Sequence, residues 1–358
     1  MAENSKIQWT HHTFNPWRGC TKVSPGCANC YAEALAERNP KVLGVWGPNG
    51  TRVVASEAQW REPLKWNRMA AEGTCYHCHG KSTRDTPGKC TVCDGKGRIG
   101  PYRARVFCAS LADVFEDWKG PMVNSKGERL VVGPHGEWIG ISKGAQESLA
   151  RGELQQTETG WLTMDDVRER LMFLIRDTPE LDWLFLTKRP ENILGTWGRI
   201  DVCDVEATFP NLWIGTTVEN RRHGVPRIDH LRATPAAVRF LSVEPLLEDL
   251  GTLDLTGIHW MIVGGESGHG SRPFDLAWAR SIVAQCKAAD VPVFVKQLGA
   301  VIHARNIIDP LDQFPSNAVR AFKSGPDEDT VELNLIDRKG GDPAAWPADL
   351  RVREFPEA

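Results

Sequence analysis

Short runs of almost continuous apolar residues recur along the chain, each ending in glycine or a polar group: Val106–Ala109, Trp183–Leu186, Leu212–Gly215, Val238–Leu241, Trp260–Val263 and Val293–Val295. Such runs suit strands buried on both faces, as in parallel sheets. From Leu184 onward they return at intervals of about 20 to 35 residues, the length of a βα unit. The segments between them carry helical periodicity. Asp165–Ile175 places Val167, Leu171, Leu174 and Ile175 on one face, and Leu276–Ala289 does the same with Leu276, Ala279, Ile282, Val283 and Cys286. A further strand falls within Gln8–Phe14 and brings the strands to seven. Repeated βα units with right-handed crossovers predict an α/β fold, a partial or complete (βα) barrel, with a doubly wound open sheet as the alternative.

In either architecture the strand C-termini collect the chemistry. The residues there are Ser110 and Asp113; Lys188; Thr216, Thr217 and Glu219; Ser242 and Glu244; Gly264, Gly265 and Glu266; and Lys296 with Gln297. Two stretches break the rhythm and are expected as loop insertions: 69–103, rich in Gly, Cys and basic residues, and 119–160, rich in Gly and polar residues. The expected organisation is a barrel start in 1–68, an insert in 69–103, the remaining barrel in 104–300 and an irregular extension in 301–358.

The 358 residues are 41% hydrophobic and 25% charged, enough to build a core without disulfides. No apolar run is long enough to cross a membrane, and the N-terminal residues do not read as a signal peptide, so a soluble cytoplasmic protein is expected. The net charge of −3 gives no global attraction to nucleic acid. Seven of the 10 cysteines fall into ligand-like groups, which favours metal over disulfides. Cys108, Cys203 and Cys286 lie in apolar contexts and are expected to be buried thiols.

Cys75, Cys78, Cys90 and Cys93 form C-x2-C-x11-C-x2-C with flanking Gly80, Gly95 and Gly97. Four thiolates at this spacing can close a zinc tetrahedron, without which so polar an insert would scarcely fold; a rubredoxin-like iron site is the alternative. The Cys-x2-Cys-x-Gly pairs resemble part of the cysteine-rich region of DnaJ chaperones. Lys81, Arg84, Lys89, Lys96, Arg98, Arg103 and Arg105 make the insert locally basic, which suits either a phosphate backbone or a solvated loop.

Cys20, Cys27 and Cys30 form C-x6-C-x2-C directly after the first strand, with a Ser-Pro-Gly turn and a helical run from Tyr31. Three thiolates can hold a 4Fe-4S cluster with one iron open, or zinc with a water or a histidine such as His11 or His12 as fourth ligand.

Taken together with Arg105–Asp113, Phe185–Pro190, Leu212–Asn220, Phe240–Leu246, Ile262–Ser267 and Phe294–Gln297, this cysteine segment resembles the phage Gp37/Gp68 family, also catalogued as DUF5131. That family resembles divergent radical S-adenosylmethionine enzymes such as the spore photoproduct lyase group. The resemblance implies a partial barrel, a 4Fe-4S cluster on Cys20, Cys27 and Cys30, S-adenosylmethionine as cofactor, and an electron donor such as flavodoxin or ferredoxin. It implies a setting in a bacterial or phage-infected cell and a nucleic acid or nucleotide as substrate. Ser110, Asp113, Thr216, Thr217, Glu219 and Glu244 are then candidates for cofactor binding, and Lys188, Glu266 and Lys296 for catalysis. The spacing departs from the usual C-x3-C-x2-C, and Asn29 stands where an aromatic residue is common. Gly264-Gly265-Glu266 is similar to a cofactor-amine motif but follows a late strand. The competing functions are a non-catalytic, metal-stabilised module that binds nucleic acid or protein, and a zinc-dependent hydrolase.

Overall fold

The computed structural model describes residues 2–3, 5–81, 90–150, 160–305, 313–315, 317–327 and 329–357. The architecture is mixed α/β with a parallel sheet curled as a half-barrel, the partial form of the expected barrel. Its seven parallel strands are β1 (His12–Phe14), β2 (Ala104–Cys108), β3 (Leu181–Thr187), β4 (Leu212–Thr217), β5 (Val238–Val243), β6 (Trp260–Gly264) and β7 (Val293–Gln297). Each contains or overlaps an apolar run of the sequence, and almost every position is buried. Two compact units divide the chain. The first comprises Met1–Lys22, Cys30–Phe185 and Asn192–Leu212, the second Val23–Asn29, Leu186–Glu191 and Trp213–Ala358.

In the first unit β1, β2 and β3 pair in parallel, with His12 opposite Val106 and Ala104 opposite Leu181. Four helices matter to the site: α1 (Tyr31–Arg38), α2 (Glu57–Glu72), α3 (Met164–Arg176) and, in the second unit, α4 (Leu276–Ala288). A capping box of Ser56 and Gln59 starts α2, and Gly73, at φ 70°, ends it in the left-handed conformation. The buried face of α2 carries Trp60 and Trp66. Trp66 stacks on His12 at 4.3 Å and Trp60 meets Phe14 edge-on at 5.1 Å. Thr163 and Asp166 cap α3, whose inward residues include Val167, Leu171, Leu174 and Ile175.

Residues 119–160, expected as a loop, carry strands Met122–Val123, Arg129–Val132 and Trp138–Ile141 and helix Lys143–Ala150. These strands extend a five-stranded sheet begun by Trp17–Arg18 and Arg52–Val54. They are brief, and their turns rest on Gly127 and Gly136, each at φ 79°, so no run is long enough to register as a strand.

In the second unit β4 to β7 continue in parallel register, and α4 buries Leu276, Ala279, Ile282, Val283 and Cys286. The region from 301 is more regular than expected. Ile302–Arg305, Val319–Ser324 and Thr330–Leu335 join Phe274–Asp275 in a four-stranded sheet. Val319–Ser324 is almost wholly exposed and so has no apolar signature. The last residues pair with β7 through Val295 N to Val352 O (2.9 Å) and Glu354 N to Val293 O (3.0 Å). Cys108 and Cys286 are buried as expected, whereas Cys203 is exposed because it lies in irregular backbone rather than in a helix or strand. Among the described residues no helix is long and apolar enough to cross a membrane.

At the start of β1 the His11 ring accepts the Arg105 N–H through Nδ1 (2.9 Å), which requires a neutral acceptor nitrogen. Burial first, then the charges of Arg105 and His12, lowers the pKa of His11 to about 3. Burial, then His79 and Lys65, lowers that of His12 also to about 3. The unfolded chain protonates both near 6.5 while the folded one stays neutral, so stability present above pH 6.5 is lost as the pH falls toward 3. Urea unfolding across that interval should report uptake of roughly two protons. A slope that persists in a His11→Asn, His12→Phe double variant would contradict this assignment.

Candidate metal centre and strand-end site

The four-cysteine insert lies in the first unit. The ligand atoms of Cys75, Cys78, Cys90 and Cys93 lie within 4.8 Å of one another, so the group can hold a metal such as zinc. Two similar turns build it. His79 (φ 52°) and Gly80 (φ 73°) follow the first pair, and Asp94 (φ 50°) and Gly95 (φ 73°) follow the second. In each turn a backbone N–H returns to a cysteine carbonyl: Lys81 N to Cys78 O (2.9 Å) and Lys96 N to Cys93 O (2.9 Å). Gly97 N donates to the Cys93 sulfur (3.3 Å), an outer-shell bond that favours a thiolate. Without a metal, burial pushes the Cys75 thiol up to about 12. A bound divalent cation reverses that preference.

Tyr76 of the insert meets His11 edge-on at 4.6 Å and Tyr102 at 5.7 Å. The insert therefore packs on the N-terminal ends of β1 and β2. Its basic residues are partly committed to the fold: Arg103 pairs with Asp182 (2.7 Å), Arg105 donates to Trp9 O (3.0 Å), and Arg98 bonds the Glu72 carbonyl. Lys81 and Lys96 are exposed, and Arg84 and Lys89 lie outside the described residues.

At the opposite ends of those strands stand Cys20, Cys30 and Ser110. Asn15 bridges the loops by accepting Leu111 N (2.6 Å) and donating to Ser110 Oγ (3.2 Å), and Gly19 N bonds Leu111 O (3.0 Å). The fully buried Arg52 clamps the residue after Cys20: it donates to Thr21 Oγ1 (3.0 Å) while making a two-pronged pair with Glu116 (2.7 and 2.8 Å). Cys30 is the N-cap of α1, and Tyr31 OH donates to Ser110 O (2.9 Å). Asp113 is buried and accepts Phe115 N (3.0 Å), which gives it a role in holding its own turn. His11 and His12, named as possible fourth ligands of a zinc alternative, lie with Tyr76 and Trp66 at the other strand ends, because they stand at the start of β1.

The second unit holds Cys27 and the remaining strand-end residues. Cys27 closes a 3-10 turn, Pro25–Cys27. Directly beneath it is Glu219: a Cβ on Gly26 would lie 3.1 Å from the Glu219 Cδ. Glu219 is fully buried and accepts Arg227 Nη1 (2.6 Å) through Oε2, while its Oε1 and the buried Thr217 Oγ1 have no hydrogen-bond partner. Thr216 Oγ1 donates to Thr187 O (2.9 Å). Glu266 accepts Asn29 Nδ2 (2.9 Å) and Arg272 Nε (3.0 Å). Burial opposes its ionisation, but the bonds from Arg272 and Asn29 win and hold its carboxyl below the usual range. Lys296 pairs with Glu244 (2.5 Å), and Lys188 is half-buried after β3. Sequence reasoning did not find Arg52, Glu116, Arg227 or Arg272. Only long-range pairing gives them a role, and no local spacing announces it.

These features define a parallel α/β protein with a metal-competent four-cysteine centre and a polar set of strand ends. The chain belongs to the family described as protein of unknown function (DUF5131), whose model matches residues 4–126 and 162–334. The match runs through the four-cysteine insert and leaves out residues 127–161, which include the Arg129–Val132 and Trp138–Ile141 strands. No curated protein and no solved structure matches the chain.

The metal centre closes only its own loop, so Cys78→Ser should abolish its metal uptake and melt the insert alone. Hydrogen exchange should rise within 69–103 while the cooperative unfolding of the α/β body persists. A global collapse would contradict an independent insert.

Proposed function

We propose that this protein is an iron–sulfur enzyme of the radical S-adenosylmethionine type, with structural zinc in its four-cysteine insert. Cys20, Cys27 and Cys30 would hold the cluster. What supports the reading is the chemistry of the donors: none of the three is in a disulfide, and Cys30 sits at a helix N-terminus, which stabilises a thiolate. When bound, the cluster and cofactor would supply one-electron cleavage of S-adenosylmethionine and hydrogen abstraction from substrate.

The observation that carries this reading is the seating of the Cys27 turn on Glu219 and Glu266, at the C-terminal ends of β4 and β6. Thr217 Oγ1 and Glu219 Oε1, both buried without a hydrogen-bond partner among the described residues, are the polar atoms that would bind ribose hydroxyls. Thr216 holds the preceding loop. Lys296 and Lys188 would orient an anionic substrate, a nucleic acid or nucleotide, with Glu244 setting the position of the Lys296 ammonium. The reductant in this reading is a flavodoxin or ferredoxin.

A second reading, a metal-stabilised binding module without catalysis, draws support from the internal pairing of the rim charges, Lys296 with Glu244 and Arg272 with Glu266. Calorimetric titration of the anaerobically reconstituted protein separates the two. Radical chemistry requires binding of S-adenosylmethionine at one site per chain, weakened about tenfold or more in Glu219→Ala. The absence of any binding to a loaded protein would remove the radical reading and leave the module.

A further inference from the structure

Asn29 departs from the usual cysteine-loop pattern, and its contacts give the departure a purpose. Its side-chain amide donates to Glu266 Oε2 (2.9 Å) and to Gly270 O (3.0 Å). Arg272 holds the same carboxylate through its backbone N (3.0 Å) and Nε (3.0 Å), both on Oε2, and through Nη2 on Oε1. The remaining guanidinium nitrogen, Nη1, donates to Pro25 O (3.0 Å). Pro25, two positions before Cys27, and Asn29, two after it, are thus tied to one ion pair, and Gly26 between them rests on Glu219.

We propose that Glu266 and Arg272, acting through Asn29 and Pro25, are positioning residues that fix the Cys27 thiol, and that Glu266 does not itself meet substrate. The chemistry supports this division. Glu266 is only 10% exposed at its side chain, and the contacts above already satisfy both of its oxygens. A substrate-binding role would have to displace a charge-assisted pair, whereas a latch uses that pair as it stands. Arg272 offers a planar fork, so one guanidinium can grip a carboxylate and a carbonyl together, which a lysine ammonium cannot do with the same geometry. Gly26 suits the same device: a Cβ there would lie 3.1 Å from the buried Glu219 side chain, which would have to give by a few tenths of an ångström.

The inference deepens the cluster reading for Cys27 but is tested without it. Metal-free wild type, Asn29→Ala, Arg272→Ala and Arg272→Lys are treated with limiting iodoacetamide, and alkylation of Cys27 is followed by mass spectrometry against the exposed Cys203 as internal reference. Asn29→Ala and Arg272→Ala should each raise the Cys27 rate about tenfold relative to Cys203, with Arg272→Lys between them and wild type. In protein loaded with iron and sulfide, the same variants should alter the electron paramagnetic signature at equal iron content. If Arg272→Ala does not fold, Asn29→Ala, which deletes only two bonds, decides the matter. An unchanged Cys27 rate in Asn29→Ala overturns the latch. A wild type that takes up no iron, but in which the variants still expose Cys27, overturns the cluster reading and leaves the latch standing.

Discussion

A parallel ladder must be buried on both faces, and in this protein nearly every side chain of β2 to β7 is buried or half-buried. Polar work is therefore confined to the strand ends. The two ends of β1 and β2 are used differently. Their N-terminal ends receive the four-cysteine insert through Tyr76, Tyr102 and His11, while their C-terminal ends carry Asn15, Cys20 and Ser110. Within that unit the four-cysteine group thus stands at the opposite strand ends from Cys20 and Cys30.

Buried charge is the means by which the cysteine-bearing loops are held. Arg52 and Glu116 are both almost fully buried, and the Arg52 guanidinium stacks 3.8 Å from the Trp118 ring centroid. Gly19, at φ 116°, lets the chain pass over that side chain, since a Cβ would lie 2.9 Å from Arg52 Cδ. Breaking such a pair strands a buried charge at a cost of about 3–5 kcal/mol. Glu219 with Arg227, and Glu266 with Arg272, repeat the arrangement beside Cys27. In each case an arginine bonds both a carboxylate and a second polar group, Thr21 Oγ1, Thr217 O or Pro25 O, so a charge-assisted pair also fixes local backbone geometry.

The strands, the inward faces of α3 and α4 and the start of α1 were legible because each is a local pattern: an apolar run, a 3.6-residue period, a cap. The four-cysteine centre was legible for the same reason, its ligands being two short pairs. What escaped was non-local. Asn29 and Glu266 are 237 residues apart and Glu244 and Lys296 are 52 apart, so the sequence offers Glu266 and Lys296 as unpaired rim charges when each has a partner. Ladder strands of two to four residues in 119–160 escaped because they span at most two periods of strand alternation, and Cys203 because apolar neighbours do not bury a residue in irregular backbone.

On the proposed function the chain would carry two different metal centres, a structural zinc and a three-cysteine iron–sulfur site. Metal analysis of anaerobically reconstituted protein, with visible absorption, tests it directly. The account expects about four irons and one zinc per chain in wild type, and zinc alone, without brown colour, when Cys20, Cys27 and Cys30 are all changed to alanine. Iron and colour retained in that triple variant would contradict it.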